Sequence, residues 1–403
     1  MPDPIPPPSP TAPDVVVVGA GLAGLAATWT LLDHGARVTV VDGGPPGRAT
    51  SHVAAGMLAP VVEAEPDHPE QLALGLAALR AWPGFAERLA AAAGRSLPIR
   101  RQGTLAVARD RDEAEALTRF AAVRDRLGVP VRPLLPSAAR RLEPALAPTL
   151  RAALDVPDDH AVDPRAVVAA LVDAVVAGGG RLRTGSAVAR VLVDHDRDRA
   201  TGVALADGTT IAAGAVLVAA GPWSGAIDGL PEEARLPVRP VKGQLLLLRD
   251  PDGPGLVERV LRFGSGYLVP RDDGRYVLGA TSEEQGFDRS TTAGAVHDLL
   301  RDGAELVPGL LELRIEETLA GLRPTTPDGL AAIGRSGALD GLWWCTGHHR
   351  NGVLLASLSG PLLAAAVGLG RADPALDPLR RSVDPRRLEP AATPTPTLEQ
   401  PRA

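Results

Sequence analysis

The first strongly apolar run in the chain is Val15 to Val18. Four consecutive valines suit a central parallel strand buried on both faces. Gly19-Ala-Gly21-Leu-Ala-Gly24 follows directly, then an apolar helical run through Leu25, Ala26, Leu31 and Leu32 that ends at Gly35. A second strand, Val38 to Val41, closes on Asp42. The pattern is one βαβ unit. Gly19 permits the tight turn, Gly21 lets the backbone approach a pyrophosphate, and Gly24 lets helix and strand pack closely. The helix N-terminus offers its N–H groups to the anion, and Asp42 would accept hydrogen bonds from a ribose. With strand, helix, second strand and acid in order, the motif predicts a dinucleotide site rather than a chance glycine-rich loop. FAD and NAD share the ADP half, so both remain open here.

The βα alternation then lapses. A glycine-rich loop, Gly43 to Met57, leads into helical segments around Gln71 to Ala93 and from about Asp112 to Leu127. Alternation resumes at Asp163-Pro164, a cap followed by proline at the first helical turn; the helix runs to Gly178 and a strand follows at Arg181 to Arg183. Thr209 to Ile211 and Ala215 to Ala220 add strands ending at Gly221, and short strands with turns such as Asp272-Asp273-Gly274 fill Leu236 to Thr281. Leu342 to Cys345 returns as a strand, with a helix beginning near Asn351. The expected fold is α/β: a Rossmann-like nucleotide-binding domain in three pieces (14–90, 151–225 and 320–371) with an inserted α+β substrate domain (91–150 and 226–319) on a mainly antiparallel sheet. Residues 1–13, without Lys, Arg or an apolar core, read as a disordered leader rather than a secretory signal, and residues 372–403 as a proline-punctuated tail.

Composition narrows the function. The 403 residues are 45% hydrophobic and 22% charged, ordinary for a globular protein, and the net charge of −6 with no basic stretch argues against nucleic acid as a partner. The uncharged stretches Gly208 to Ile227 and Asn351 to Gly370 are too broken by Gly and Pro to span a membrane. With one cysteine, Cys345, there is neither a disulfide nor a thiolate zinc site, and a reducing cytoplasmic setting fits. Of 42 basic residues Lys242 is the one lysine, so a lone arginine carries little information without a motif around it. Lys242 itself reads as a solvated strand end. No metal site is expected, since His348-His349 lacks supporting ligands.

Several segments carry a more specific signal: Arg48-Ala-Thr-Ser-His-Val-Ala-Ala-Gly-Met57-Leu-Ala-Pro60, Pro237-Val-Arg-Pro-Val-Lys-Gly-Gln244, Tyr267-Leu-Val-Pro-Arg271, Val277-Leu-Gly-Ala-Thr281, Ala320-Gly-Leu-Arg323-Pro-Thr-Thr-Pro-Asp-Gly329 and Gly347-His-His-Arg350-Asn-Gly-Val-Leu-Leu355. In this order they resemble the glycine oxidases, FAD-dependent enzymes of thiamine thiazole biosynthesis in the D-amino acid oxidase superfamily, over about Val15 to Gly370. The resemblance implies FAD held by Gly19, Gly21, Leu22, Ala23 and Gly24, by Asp42, by Thr50, Ser51, Ala55, Gly56 and Met57, by Val188 and Gly221, and by His348, His349, Arg350, Asn351, Gly352, Val353 and Leu354. It implies Arg323 as the substrate carboxylate anchor, with Tyr267 beside it and Arg350 near the site. It also implies a small amino acid substrate, dioxygen as oxidant, hydrogen peroxide as product, a homo-oligomer and an imine that is hydrolysed or passed to thiazole synthesis. Asp42 stands where glutamate is usual, His349 replaces an aromatic residue, and Ser282 replaces a larger apolar one and would widen the pocket. Gly321 offers no thiol where related sarcosine oxidases attach flavin covalently, so non-covalent FAD is expected.

The residue types in these motifs suit this chemistry, although Arg323 without its motif would read as one surface arginine among many. A guanidinium grips a carboxylate with a bidentate fork, and Arg323 follows a strand-like segment, Glu316 to Leu322. Tyr267 is one of two tyrosines, with a core or interface tyrosine as the other reading from sequence alone. The helix near Asn351 would set its positive end against the charge that builds on a reduced flavin. The other functions to weigh are oxidation of sarcosine, proline or a D-amino acid, a flavin domain acting in tRNA modification, and a non-catalytic dinucleotide-binding regulator.

Overall fold

The computed structural model describes residues 14–65, 68–264, 266–369 and 373–390. The expected leader, 1–13, and the end of the tail, 391–403, lie outside the described residues. Val15–Val18 is central to a six-stranded sheet whose order is Ala332–Arg335, Leu342–Thr346, Ala215–Val218, Val15–Val18, Val38–Asp42 and Arg181–Thr184. All neighbours are parallel except the first pair. Because side chains alternate along a strand, Val15 and Val17 point into a helical layer formed by Leu22–Asp33, Pro164–Ala177 and Ala356–Val367. Val16 and Val18 point the other way, against Val191, Val203 and Leu205 of a three-stranded antiparallel sheet. Each valine is at most 5% exposed, and burial of each contributes about 1.5–3 kcal/mol.

The second large sheet has eight strands, in the order Arg314–Thr325, Arg239–Arg249, Arg275–Gly279, Gly266–Pro270, Val260–Phe263, Thr104–Ala108, Ala152–Val156 and Arg132–Leu134. Only Val260–Phe263 against Thr104–Ala108 is parallel. Here Leu245 to Leu248 repeats the logic of the valines. Leu246 and Leu248 pack under the helix Ala293–Leu306, while Leu245 and Leu247 face Val53, Ala55 and Met57 of the nucleotide-binding half. That second face becomes a wall of the functional site. The mixed α/β fold class, with a parallel sheet and a separate mainly antiparallel one, is as expected.

Four expectations need correction. Ala152–Val156 was placed with the nucleotide-binding pieces, but it pairs antiparallel with Thr104–Ala108 in the other sheet. A five-residue apolar run does not say which sheet will bury it. The tail from 373 to 390 is packed rather than loose: Pro374–Leu376, Asp377–Ser382 and Pro385–Arg387 are helical turns, Val383 is buried, and Arg387 pairs with Asp328 at 2.7 Å. Its prolines sit where helices start, and Asp373 and Asp384 cap the turns of Pro374 and Pro385, the same signal as Asp163-Pro164. The regular helix expected near Asn351 begins at Ala356, after a 3₁₀ turn at His349–Asn351. Lys242 is buried at 1% exposure, with its ammonium 2.5 Å from Asp288 and 3.9 Å from Glu283.

Candidate active site

A cavity of about 720 Å³ lies between the two sheets, within the size range of cofactor and small-molecule pockets. At one end it is lined by Gly19, Gly21, Leu22, Ala23, Asp42 and Val188. The helix Leu22–Asp33 opens on Gly21 without a side-chain cap and without an acidic residue in its first turn, so its positive end stays open to an anion. A Cβ on Gly24 would lie 2.1 Å from the Gly19 carbonyl oxygen, so the helix packs this closely on the glycine turn only because position 24 has no side chain. The Asp42 carboxylate accepts from the N–H of Ala20 at 2.7 Å and of Gly44 at 2.8 Å. Two oxygens offer about four acceptor sites, leaving capacity for hydroxyls. This set fits a ribose diphosphate.

The middle of the cavity is walled by the loop from Arg48 to Met57. Thr50 Oγ1 donates to the Leu322 carbonyl at 2.6 Å, Arg271 to that of Ala55 at 2.5 Å, and Val162 N–H to that of Gly56 at 2.9 Å. Ser51 Oγ accepts from Leu22 N–H at 3.0 Å. The loop is thus tied to both halves of the molecule. Gly221 and the segment His348 to Val353 close the opposite side. His348 is buried and shares a 2.9 Å hydrogen bond with Ser359 Oγ; burial pushes its pKa down to about 4. His349, in the left-handed region at φ 46°, shares a 2.8 Å hydrogen bond through Nδ1 with Thr325 Oγ1. Burial, and then the charges of Arg350, Arg323 and Arg239, hold it at about 3. Both imidazoles are therefore neutral near pH 7. Among the described residues no group of three metal-ligating side chains exists.

The other end carries side chains that could hold a substrate. Arg323 lies across Gly243, where a Cβ would meet its guanidinium at 2.4 Å. Its Nη1 donates to the carbonyls of Thr281 at 3.1 Å and Lys242 at 3.4 Å, and among the described residues it has no carboxylate partner. Burial lowers its pKa from the usual arginine value. Tyr267 covers Gly279, its strand neighbour, whose Cβ would lie 2.7 Å from the hydroxyl. Burial raises the Tyr267 pKa, opposed by the Arg323 charge, so it stays a neutral hydroxyl. Arg350 lines the cavity with no ion pair among the described residues.

Of the anticipated residues, all line the cavity except Gly24 and Leu354. Gly24 acts in packing, and the buried Leu354 accepts from Trp82 Nε1 at 2.7 Å. Ser282 is exposed and not part of the lining, so it does not widen the pocket. The sequence reading missed Glu63 and Arg262, a 3.0 Å ion pair in the cavity wall, together with Gly243 and Trp223. Glu63 belongs to no recognisable motif, and Arg262 is one arginine among very many.

Residues 14–366 match the family described as FAD-dependent oxidoreductase, DAO. The chain belongs to this family. FAD is its cofactor, and the donors and acceptors lining the cavity suit one. A glycine oxidase of Geobacillus kaustophilus is 34% identical over 358 residues, covering 88% of this chain and 92% of that protein. The crystal structure of a glycine oxidase from the same species has a TM-score of 0.82 at 33% identity, covering 91% of this chain and 98% of that one. A bifunctional ThiO/ThiG protein of Synechocystis is 32% identical over 94% of this chain, which spans 54% of that protein. The resemblance to the glycine oxidases of the D-amino acid oxidase superfamily holds along most of the chain. No described helix is long and apolar enough to cross a membrane.

Proposed function

We propose that this FAD-dependent oxidoreductase oxidises glycine, and also sarcosine and small D-amino acids, converting glycine, dioxygen and water to glyoxylate, ammonia and hydrogen peroxide. The observation that carries the reading is Arg323: a half-buried guanidinium lining the cavity, held by two carbonyls and without a carboxylate partner among the described residues. Such a group binds an anion because folding has already removed much of its water. FAD, which the glycine loop, Asp42 and the Arg48 to Met57 segment would hold, would supply the hydride acceptor for Cα and the route of electrons to dioxygen. Arg323 fixes the substrate carboxylate, and the Tyr267 hydroxyl, next to Arg323, donates a second hydrogen bond to it. Arg350, in the His349–Asn351 turn that lines the cavity, supplies positive charge to that wall and favours negative charge there. No general base is needed at Cα.

FAD is held non-covalently in this reading. Gly321 has no thiol, and the Cys345 thiol, buried and directed at the Ala23 carbonyl, is pushed up to about 12. A cytoplasmic enzyme whose imine product enters thiazole synthesis accords with the ThiO/ThiG relative. The test is oxygen consumption with glycine and with paired D- and L-alanine. With the carboxylate pinned, one Cα hydrogen directed at the hydride acceptor and the amine held to one side, the fourth substituent has a single direction, and inversion exchanges it with one of the held groups, so glycine and D-alanine consume oxygen and L-alanine does not. Faster oxidation of L-alanine overturns this geometry.

A further inference from the structure

Only two carboxylates line the cavity among the described residues, Asp42 and Glu63. Asp42 lies at the nucleotide end and is engaged by backbone N–H groups. Glu63 lies at the other end, where its charge acts on both Tyr267 and Arg323. It is the last residue of the one-turn helix Pro60–Glu63. Its Oε1 accepts from Arg262 Nε at 3.0 Å, whereas Oε2 has no partner among the described residues, although the side chain is only 11% exposed.

The position is built rather than incidental. Beneath the turn, buried Asp159 accepts from the N–H of Val61 at 3.1 Å and of Val62 at 2.8 Å. Buried Arg124 donates to the Val61 carbonyl at 2.9 Å and also to that of Ala64. The turn is thus gripped through both its donors and its acceptors. Arg262 is itself fixed, donating to the carbonyls of Gly264 and Gly266 at 2.7 Å. One carboxylate oxygen is tied down and the other is left facing the cavity, in a pocket end otherwise dominated by arginines.

We propose that Glu63 recognises the substrate amine, its Oε2 accepting an N–H hydrogen bond while Arg323 holds the carboxylate. This rests on the amino acid reading of the site. It makes Glu63 the residue that separates amino acids from simple carboxylic acids, because a ligand without an amine gains nothing there. Preorganisation matters, since a fixed acceptor loses no rotamer freedom on binding.

The experiment compares glycine with acetate, which keeps the carboxylate and lacks the amine, on FAD-loaded protein. Glycine affinity is read from anaerobic flavin reduction and acetate affinity from competition. Glu63→Gln preserves the shape and an acceptor for Arg262, and it should weaken glycine about 10- to 100-fold, the worth of a charged hydrogen bond, while acetate changes less than about threefold. Glu63→Asp, with a shorter reach, should fall between, and retained flavin absorbance shows that both variants are folded. Arg323→Ala should weaken glycine and acetate alike. Equal losses of glycine and acetate in Glu63→Gln, or no loss of glycine, overturn the role of Glu63. Acetate unaffected by Arg323→Ala instead overturns the carboxylate anchor, and the two failures are read separately.

Discussion

The two ends of the cavity are built on opposite plans. At the nucleotide end the lining is mostly backbone, glycines and one acid, drawn from two short segments, Val18 to Gly47 and Ala187 to Ala189. At the substrate end they come from side chains: Arg323, Tyr267, Arg262 and Glu63 stand on four separate elements, and the contacts of Arg262 with Glu63 and of Arg323 with Thr281 join segments distant in the chain. A diphosphate is the same in every flavoprotein, so a short motif can satisfy it. A substrate is particular to the enzyme, and its contacts can be altered one side chain at a time.

The sharpest way to break this comparison is Arg323→Ala. Loss of the charged partner of a desolvated carboxylate costs about 3–5 kcal/mol, roughly a hundred- to several-thousand-fold in apparent affinity for glycine, with FAD still bound. Arg323→Lys should not restore activity, because a point charge lacks the planar fork. Steady-state kinetics with the bound flavin measured in parallel decide it. Unchanged affinity would move the anchor to Arg350.

Where the two ends meet, His348 gives a pH signature. Its folded pKa of about 4 is below the ordinary 6.5, so the unfolded chain takes up a proton that the folded one refuses. The associated stability is fully present above pH 6.5 and is lost as pH falls towards 4, by about 3 kcal/mol from the linkage relation. Thermal melts across that window should show the fall, and His348→Asn should remove its share of it while the part due to His349, held at about 3, remains.

At the nucleotide end, Gly24→Ala forces a methyl to within 2.1 Å of a backbone oxygen. Overpacking of this kind costs about 1–3 kcal/mol and should lower the flavin content of purified protein, while the retained flavin still reduces with glycine. A variant that binds FAD normally but loses glycine would erase the division between the ends. The smallest effect is expected from His349→Phe, which removes the Thr325 hydrogen bond, worth about 0.5–1.5 kcal/mol. FAD should stay bound, with less than about tenfold change in KM for glycine.

The readable parts of the sequence were those in which one local pattern has one physical use. Val15 to Val18, the glycine loop and Asp42 fall in this class. Asp163-Pro164 does too, and the packed tail shows that the same cap-and-proline signal at Asp373-Pro374 and Asp384-Pro385 was equally legible. Lys242 was misjudged because a lysine at a strand end is normally solvated. Its burial follows from the loop carrying Glu283 and Asp288 across it, a contact no local pattern announces. Ser282 shows the reverse: adjacent to a matched motif, it turns outward.

From sequence alone came the α/β class and the dinucleotide loop, because periodicity and motif are properties of neighbouring residues, while the resemblance along the chain supplied the cofactor and pointed to Arg323 and Tyr267 as candidates. Tertiary structure decided the rest. That Arg323 lies over Gly243 without a carboxylate, that Tyr267 covers Gly279, and that Glu63 keeps one oxygen on Arg262 and one towards the cavity are pairings across up to about two hundred residues or between strands. Side-chain partners at that separation are chosen by how sheets stack and loops close, and the energy of a buried charge depends on those partners rather than on its neighbours in the chain.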